Sequence, residues 1–226
     1  MRVADKIKME RDGLVKEGPI TIVALGDSVT HGAVGHEEID YETVYWNRLR
    51  QKLNQVNNYI PVNVINAGIG GGTATEALGR MEKQVFRYHP DLVIVCFGLN
   101  DVNGTLESYV SAMRTIFDRC NEEKLEAILL TPNMLNTYVA QDTAPIFLDY
   151  AIKTAEYQNS GRMDLFVDAA KKVAREKGVD VCDCYAKWKE ISQIQDVTML
   201  LANRINHPTR EMHELFAQNL LEIILQ

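Results

Sequence analysis

Short apolar runs alternate with helical patterns along most of this chain, and this alternation restricts its fold more than any other feature. Most of the runs are dense in Val, Ile and Leu, as is typical of a parallel sheet covered by helices on both faces. The predicted strands are residues 20–25, 62–65, 91–97, 126–131 and 179–184. Helices are predicted at about 41–56 and 73–87, at 106–122, at 164–177 ahead of Gly178, and from Pro208 onward. The sequence therefore predicts an α/β fold, a three-layer α/β/α sandwich around a parallel sheet.

The length of 226 residues suits one α/β domain, and we expect a single domain over residues 1–226. Hydrophobic residues make up 46% of the chain, and no apolar run is long enough to span a bilayer, so a soluble protein is expected. Residues 1–18 lack the apolar segment and cleavage site of a secretory signal, which favours the cytoplasm. The net charge of −7, without a basic cluster, disfavours nucleic acid and membrane surfaces as partners. A small, neutral or weakly charged molecule is the expected partner, and the oligomeric state is left open.

The four cysteines fit a reducing compartment. Cys96 lies in an apolar run and Cys120 in a helical pattern, while Cys182 and Cys184 alternate along the last predicted strand and would share one face of it. We expect reduced, mostly buried thiols. No second Cys or His pair stands at ligand spacing, so no metal site is predicted. No cofactor is predicted either, because the glycines of residues 68–72 lack the third glycine of a dinucleotide fingerprint.

Polar motifs follow the first three predicted strands, and a fourth precedes the last helix. Ser28 lies in Gly-Asp-Ser-Val-Thr after the first strand, and residues 66–73 read Asn-Ala-Gly-Ile-Gly-Gly-Gly-Thr after the second. Asn100 lies in Gly-Leu-Asn-Asp after the third strand, and His207 lies in Asn-His-Pro. Parallel strands present their carboxyl ends at one edge of the sheet, where such folds bind ligands. We therefore expect the four motifs to share one site.

These residue types are the components of an acyl-transfer site. A serine hydroxyl is a weak nucleophile that needs an adjacent base, and the tetrahedral intermediate needs fixed hydrogen-bond donors. Each motif alone is more typical of a turn, and only their joint presence in this order indicates catalysis. An α/β-hydrolase elbow, G-x-S-x-G, is disfavoured because Thr30 stands where its second glycine belongs and because the serine follows the first strand rather than a central one.

The four motifs resemble those of the SGNH/GDSL hydrolase family, and the resemblance spans residues 26–208. It implies a flavodoxin-like fold with about five parallel strands, and hydrolysis of esters, thioesters or O-acetyl groups. It also implies that Ser28 is the nucleophile and that its own backbone amide contributes to the oxyanion hole. Gly71 would donate a second backbone amide, Asn100 a side-chain amide, and His207 would be the general base.

One position departs from the family pattern. The triad aspartate normally stands three residues before the histidine, but that position here is Arg204. The imidazole Nδ1–H still needs an acceptor that fixes the tautomer. We favour the backbone carbonyl of Arg204 or of a neighbour, which would give a Ser-His dyad. Carboxylates elsewhere remain alternatives, namely Asp183, Asp196 and Glu211.

The expected activity is that of a serine esterase that forms an acyl-enzyme on small acyl esters, with O-acetylated carbohydrate as the first choice. The alternatives are a thioesterase or lysophospholipase, and a catalytically weak carbohydrate-binding relative. Residues 132–161 are predicted to form the variable wall of the site. Its aromatic side chains either contact substrate or pack a helix, and they are Tyr138, Phe147, Tyr150 and Tyr157.

Overall fold

A computed structural model describes residues 2–35 and 37–226 and shows a five-stranded sheet. The strands are β1 (Ile20–Gly26), β2 (Val62–Gly68), β3 (Leu92–Cys96), β4 (Glu126–Leu130) and β5 (Asp180–Cys182). They lie in the order β2-β1-β3-β4-β5, and every neighbouring pair is parallel. This is the strand order of flavodoxin-like folds. The predicted fold class is confirmed.

The helices cover both faces of the sheet. In chain order they are α1 (Val3–Lys6), α2 (Arg11–Glu17), α3 (Ser28–His31), α4 (Tyr45–Val56), α5 (Ala74–Ala77), α6 (Met81–Gln84), α7 (Leu106–Glu122), α8 (Leu148–Asn159), α9 (Arg162–Glu176), α10 (Cys184–Ile191) and α11 (His213–Ile224). Helices α4 and α11 contact each other on one face, and α7 packs with α5 and α9 on the other. Every residue of β3 is buried, as expected for a central strand between two helical layers.

Three element predictions are wrong, and two of them have a visible local cause. The last helix begins at His213 rather than at Pro208, because Pro208 instead pairs with Leu201 in an isolated antiparallel bridge. Cys184 begins helix α10 instead of continuing β5, since the carboxylate of Asp183 caps that helix by accepting from Ala186 N. The predicted helix 73–87 is broken into short α and 3₁₀ turns.

Within residues 2–35 and 37–226, no helix combines the length and apolarity needed to cross a membrane.

Candidate active site

Ser28 lies at the point where the first strand turns into a helix. Strand β1 ends at Gly26, Asp27 caps α3 by accepting from Val29 N at 2.9 Å, and Ser28 is the first residue of α3. The turn packs so closely on β2 that Gly68 has no room for a side chain. A Cβ atom there would lie 2.2 Å from the backbone nitrogen of His31. Backbone packing at the sheet edge therefore holds the nucleophile candidate in place.

His207 contacts Ser28 directly. Its Nε2 lies 3.0 Å from the Ser28 hydroxyl oxygen, and its Nδ1 lies 3.2 Å from the carbonyl oxygen of Val34. A carbonyl can only accept, so Nδ1 carries the proton and Nε2 is left as the acceptor for the serine hydroxyl. Burial lowers the pKa of His207, although the carbonyls of Val34 and Gly35 oppose that shift. The imidazole is consequently neutral and able to accept a proton at neutral pH.

The side chain of Asn203 organises the loop that carries His207. Its Oδ1 accepts from the backbone nitrogens of Ile205, Asn206 and His207 at 3.0, 3.0 and 2.9 Å. The backbone of Arg204 is in the left-handed region, with φ of 61°. Sequence reasoning did not single out Asn203, although Asn commonly accepts from the backbone nitrogen two residues on, here that of Ile205, in an Asx turn.

The acceptor for Nδ1 corrects the prediction made for Arg204. A backbone carbonyl holds the ring, as expected for a dyad, but it belongs to Val34 on another segment rather than to Arg204 or a neighbour. The Arg204 side chain instead pairs with Asp142 at 2.9 Å. The three candidate carboxylates are engaged elsewhere: Asp183 pairs with Lys171, Asp196 accepts from Tyr138, and Glu211 interacts with Thr209.

Three donors near Ser28 are available for a developing negative charge. Within the described part of the chain, the backbone N–H groups of Ser28 and Gly71 have no acceptor. Asn100 donates one side-chain N–H to the carbonyl of Gly72 at 3.0 Å, and its second has no acceptor among those residues. Gly71 has a φ of 72°, a conformation that favours glycine. Gly71 and Asn100 line the same pocket as Ser28 and His207.

Two buried carboxyl groups lie behind these residues. Burial raises the pKa of Asp27 to about 7, and burial raises that of Asp101 to about 6, with bonds from the backbone of Ala74 and Gly98 opposing it. Asp101 accepts from Ala74 N at 2.9 Å and from Gly98 N at 3.0 Å. It thereby ties the turn of Asn100 to the segment after Gly71. Asp101 therefore joins two turns of the site.

The pocket over Ser28 has a volume of about 370 Å³. Its lining includes Phe147 and Tyr150, two of the aromatic residues predicted for it, and also His31. The other two predicted aromatics lie elsewhere: Tyr138 bonds Asp196 at 2.6 Å, and the Tyr157 ring lies beneath the Arg162 guanidinium. Among residues 2–35 and 37–226, no group of His, Cys, Asp or Glu is arranged to hold a metal ion.

Solved structures of other proteins share this fold. A lipase/acylhydrolase from Enterococcus faecalis has a TM-score of 0.71 and 24% identity, over 90% of this chain and 94% of its own. An acetylxylan esterase from Geobacillus stearothermophilus has a TM-score of 0.70 and 22% identity, over 91% and 94%. An α/β hydrolase from the metagenome of Lake Arreo, Spain, has a TM-score of 0.71 and 22% identity, over 92% and 96%.

These structural likenesses show the fold alone. No curated protein matches the sequence. The model of the GDSL-like lipase/acylhydrolase family, however, matches residues 24–215, which is most of the chain and includes all four motifs. The chain therefore belongs to the GDSL-like lipase/acylhydrolase family.

Proposed function

We propose that the protein is a serine ester hydrolase that works through an acyl-enzyme on small acyl esters, with O-acetylated carbohydrate as the first substrate class. The observation that carries the proposal is the 3.0 Å contact between His207 Nε2 and the Ser28 hydroxyl, with Nδ1 bound to a carbonyl. This is the arrangement of an activated nucleophile, its base and the group that orients the base.

The proposed reaction has two halves. The Ser28 oxygen attacks the ester carbonyl carbon while its proton passes to His207 Nε2, and the intermediate's oxyanion accepts from Ser28 N, Gly71 N and the second side-chain N–H of Asn100. The intermediate collapses, and the departing alcohol takes the proton from His207. Water then attacks the acyl-enzyme with His207 as base, which releases the acid and restores Ser28.

The lining of the pocket, which includes Glu37 and Glu38, disfavours an anionic substrate. Its described residues include no Lys or Arg that could pair with an anionic group. Phe147 and Tyr150 offer aromatic surface of the kind that binds sugar rings. The similarity in fold to an acetylxylan esterase is consistent with an acetylated carbohydrate as substrate.

One observation favours a second candidate, hydrolysis of longer acyl esters. Ile39 lines the pocket and is 41% exposed, and Ile146 and Leu148 on either side of Phe147 are 77% and 40% exposed. Such apolar surface beside a pocket can bind a hydrocarbon chain, because its burial removes apolar area from water.

A chain-length series tests both candidates. We expect kcat/KM to fall from p-nitrophenyl acetate to the octanoate, and acetylated xylo-oligosaccharides to be deacetylated. A preference for octanoyl esters or acyl thioesters would instead support the lipase or thioesterase class. A protein that binds the oligosaccharide and hydrolyses none of these esters would be a binding relative, and would overturn the proposal.

A further inference from the structure

The carbonyl that holds His207 belongs to a loop fastened to the helix of Ser28. This loop spans residues 33–40, of which the structure describes 33–35 and 37–40. Ala33 N donates to the Ser28 carbonyl at 2.9 Å, Val34 N to the Glu38 carbonyl at 3.0 Å, and Asp40 N to the Gly32 carbonyl at 2.8 Å. These backbone bonds fix the loop to α3 but not to the segment that carries His207.

One side chain on the histidine segment reaches the loop from three residues beyond His207. The Nε of Arg210 donates to Asp40 Oδ2 at 2.7 Å, and its Nη2 donates to Glu38 Oε1. Arg210 thus joins the segment of His207 to the loop of Val34 through two carboxylates.

We propose that Arg210 is a positioning residue: by holding Glu38 and Asp40, it keeps the Val34 carbonyl where it accepts the Nδ1–H of His207. Its effect is to select the imidazole tautomer whose Nε2 faces Ser28. The catalytic consequence rests on the proposed function, whereas the tautomer itself does not.

The exposure of Arg210 and its two carboxylate partners indicates a geometric rather than a stabilising role. The side chains of Arg210 and Glu38 are 42% and 52% exposed, and ion pairs at such exposure contribute little to stability. Asp40 is 16% exposed and rigidly held, because it also accepts from the backbone nitrogens of Glu42 and Thr43 and from the Thr43 hydroxyl. The planar guanidinium presents donors in a fixed fork, which suits the fixing of one segment against another.

The tautomer of His207 depends on the acceptor at Nδ1. A neutral imidazole carries one proton, and without the Val34 carbonyl that proton can reside on Nε2. An Nε2–H would donate to the Ser28 oxygen and could not accept its proton. A small displacement of loop 33–40 would therefore reduce the fraction of protein with a usable base.

The chain offers a matched control on the same segment. Arg204 lies three residues before His207, as Arg210 lies three residues after it, and Arg204 also pairs with a carboxylate. Its partner, Asp142, lies outside loop 33–40. Arg204→Ala and Arg210→Ala thus remove the same charge and a similar ion pair, but only the second releases the loop.

The experiment measures the tautomer and the kinetics separately. Long-range ¹H–¹⁵N correlation spectra of ¹⁵N-histidine-labelled protein at pH 8 report which ring nitrogen is protonated, and loss of one signal set in His207→Gln assigns His207. In the wild type and in Arg204→Ala we expect the Nδ1–H tautomer. In Arg210→Ala we expect a mixture of tautomers and a fall in kcat for p-nitrophenyl acetate of about 10²-fold, with KM little changed, as a small misplacement can cause. Arg210→Lys keeps the charge without the fork, and should recover part of the lost kcat.

The outcomes separate this proposal from the proposed function. A pure Nδ1–H tautomer in folded Arg210→Ala would overturn it, whatever happens to kcat. The same mixture of tautomers in Arg204→Ala would also overturn it, because loss of any arginine on the segment would then suffice. If the wild type hydrolyses no ester, the proposed function fails, while the spectra still decide the role of Arg210. Thermal melts that agree within a few degrees confirm that each variant is folded.

Discussion

The two halves of the site are held by different kinds of interaction. Ser28 and Asn100 follow strands β1 and β3, in the middle of a buried sheet, and backbone packing together with the buried carboxyl groups of Asp27 and Asp101 holds their turns. His207 lies outside the sheet, in a loop that is fixed by the side chains of Asn203 and Arg210. The strand half is therefore held by groups buried within the fold, whereas the loop half is held by partly exposed polar side chains. Substitutions away from the reacting atoms should consequently disturb His207 more readily than Ser28.

The largest expected effects come from substituting the two reacting residues themselves, one from each half of the site. Ser28→Ala should lower turnover of p-nitrophenyl acetate by at least about 10⁴-fold and abolish labelling by a fluorophosphonate, since no other group supplies the nucleophile. His207→Ala should cost nearly as much, and the double variant little more than either, because the two residues act as a unit. Labelling that persists at another serine in Ser28→Ala would show that the nucleophile is wrong.

The next effect concerns the strand half alone. Asn100→Ala should lower kcat by about 10²- to 10³-fold with a modest change in KM, because the amide acts on charge that develops in the transition state. Asn103→Ala is the control, since Asn103 follows in the same turn but does not line the pocket, and its side chain donates to the Asn100 carbonyl and to the Tyr150 hydroxyl. Steady-state kinetics of both variants provide the measurement. An unchanged kcat in Asn100→Ala would leave Asn100 as a turn residue only.

A smaller effect is expected from a substitution in the loop half that leaves the reacting atoms unchanged. Asn203→Ala removes the acceptor of three backbone N–H groups, including that of His207, and should lower kcat about 10- to 100-fold as the ring is misplaced. Asn203→Asp keeps the acceptor oxygen and should stay within about tenfold of the wild type. Equal losses in both variants would mean that the acceptor is not what positions His207.

The strand half should tolerate substitution of Asp27, the side chain that caps its turn. Asp27→Asn keeps an oxygen to accept from Val29 N, so kcat should stay within about tenfold at pH 6. The stabilities of the wild type and Asp27→Asn should instead depend on pH to different extents. The folded state raises the pKa of Asp27 from 3.8 to about 7, so it binds the proton more tightly than the unfolded chain. The wild type should therefore lose stability as pH rises from about 4 to 7, by up to about 4 kcal/mol for this shift.

Urea unfolding of both proteins at pH 4.5 and pH 8 measures this difference. The free energy of unfolding should fall more steeply with pH in the wild type than in Asp27→Asn. Parallel pH dependences would show that Asp27 ionises in the folded protein without a penalty.

The difference between the strand half and the loop half also explains which parts of the site could be predicted from the sequence. The positions of Ser28 and Asn100 follow from the order of strands, because each motif comes after an apolar run, whereas Gly71 was assigned from the resemblance to the family. The Val34 carbonyl was beyond prediction, since it lies 173 residues from His207 and every residue has a carbonyl group. Pro208 misled the helix prediction because a first-turn proline and a proline in an isolated bridge look alike in sequence. Of the predicted aromatic wall, only Phe147 and Tyr150 reach the pocket, and periodicity could not distinguish them from Tyr138.

The smallest expected effect is at the position that departs from the family pattern. Restoring the acid by Arg204→Asp should not raise turnover, because the side chain at 204 is directed to Asp142 and to the carbonyls of Met199 and Leu201 rather than to His207. A carboxylate there would face Asp142 and repel it, while Arg204→Asn, which tolerates the same left-handed backbone, carries no charge. We expect kcat of both variants within about tenfold of the wild type. At low salt, Arg204→Asp should melt at a lower temperature than Arg204→Asn. At high salt, where the repulsion is screened, the two melting temperatures should approach each other. Turnover of Arg204→Asp above that of the wild type would show instead that the loop can rearrange into a triad, and that the Val34 carbonyl is one of two ways to hold His207.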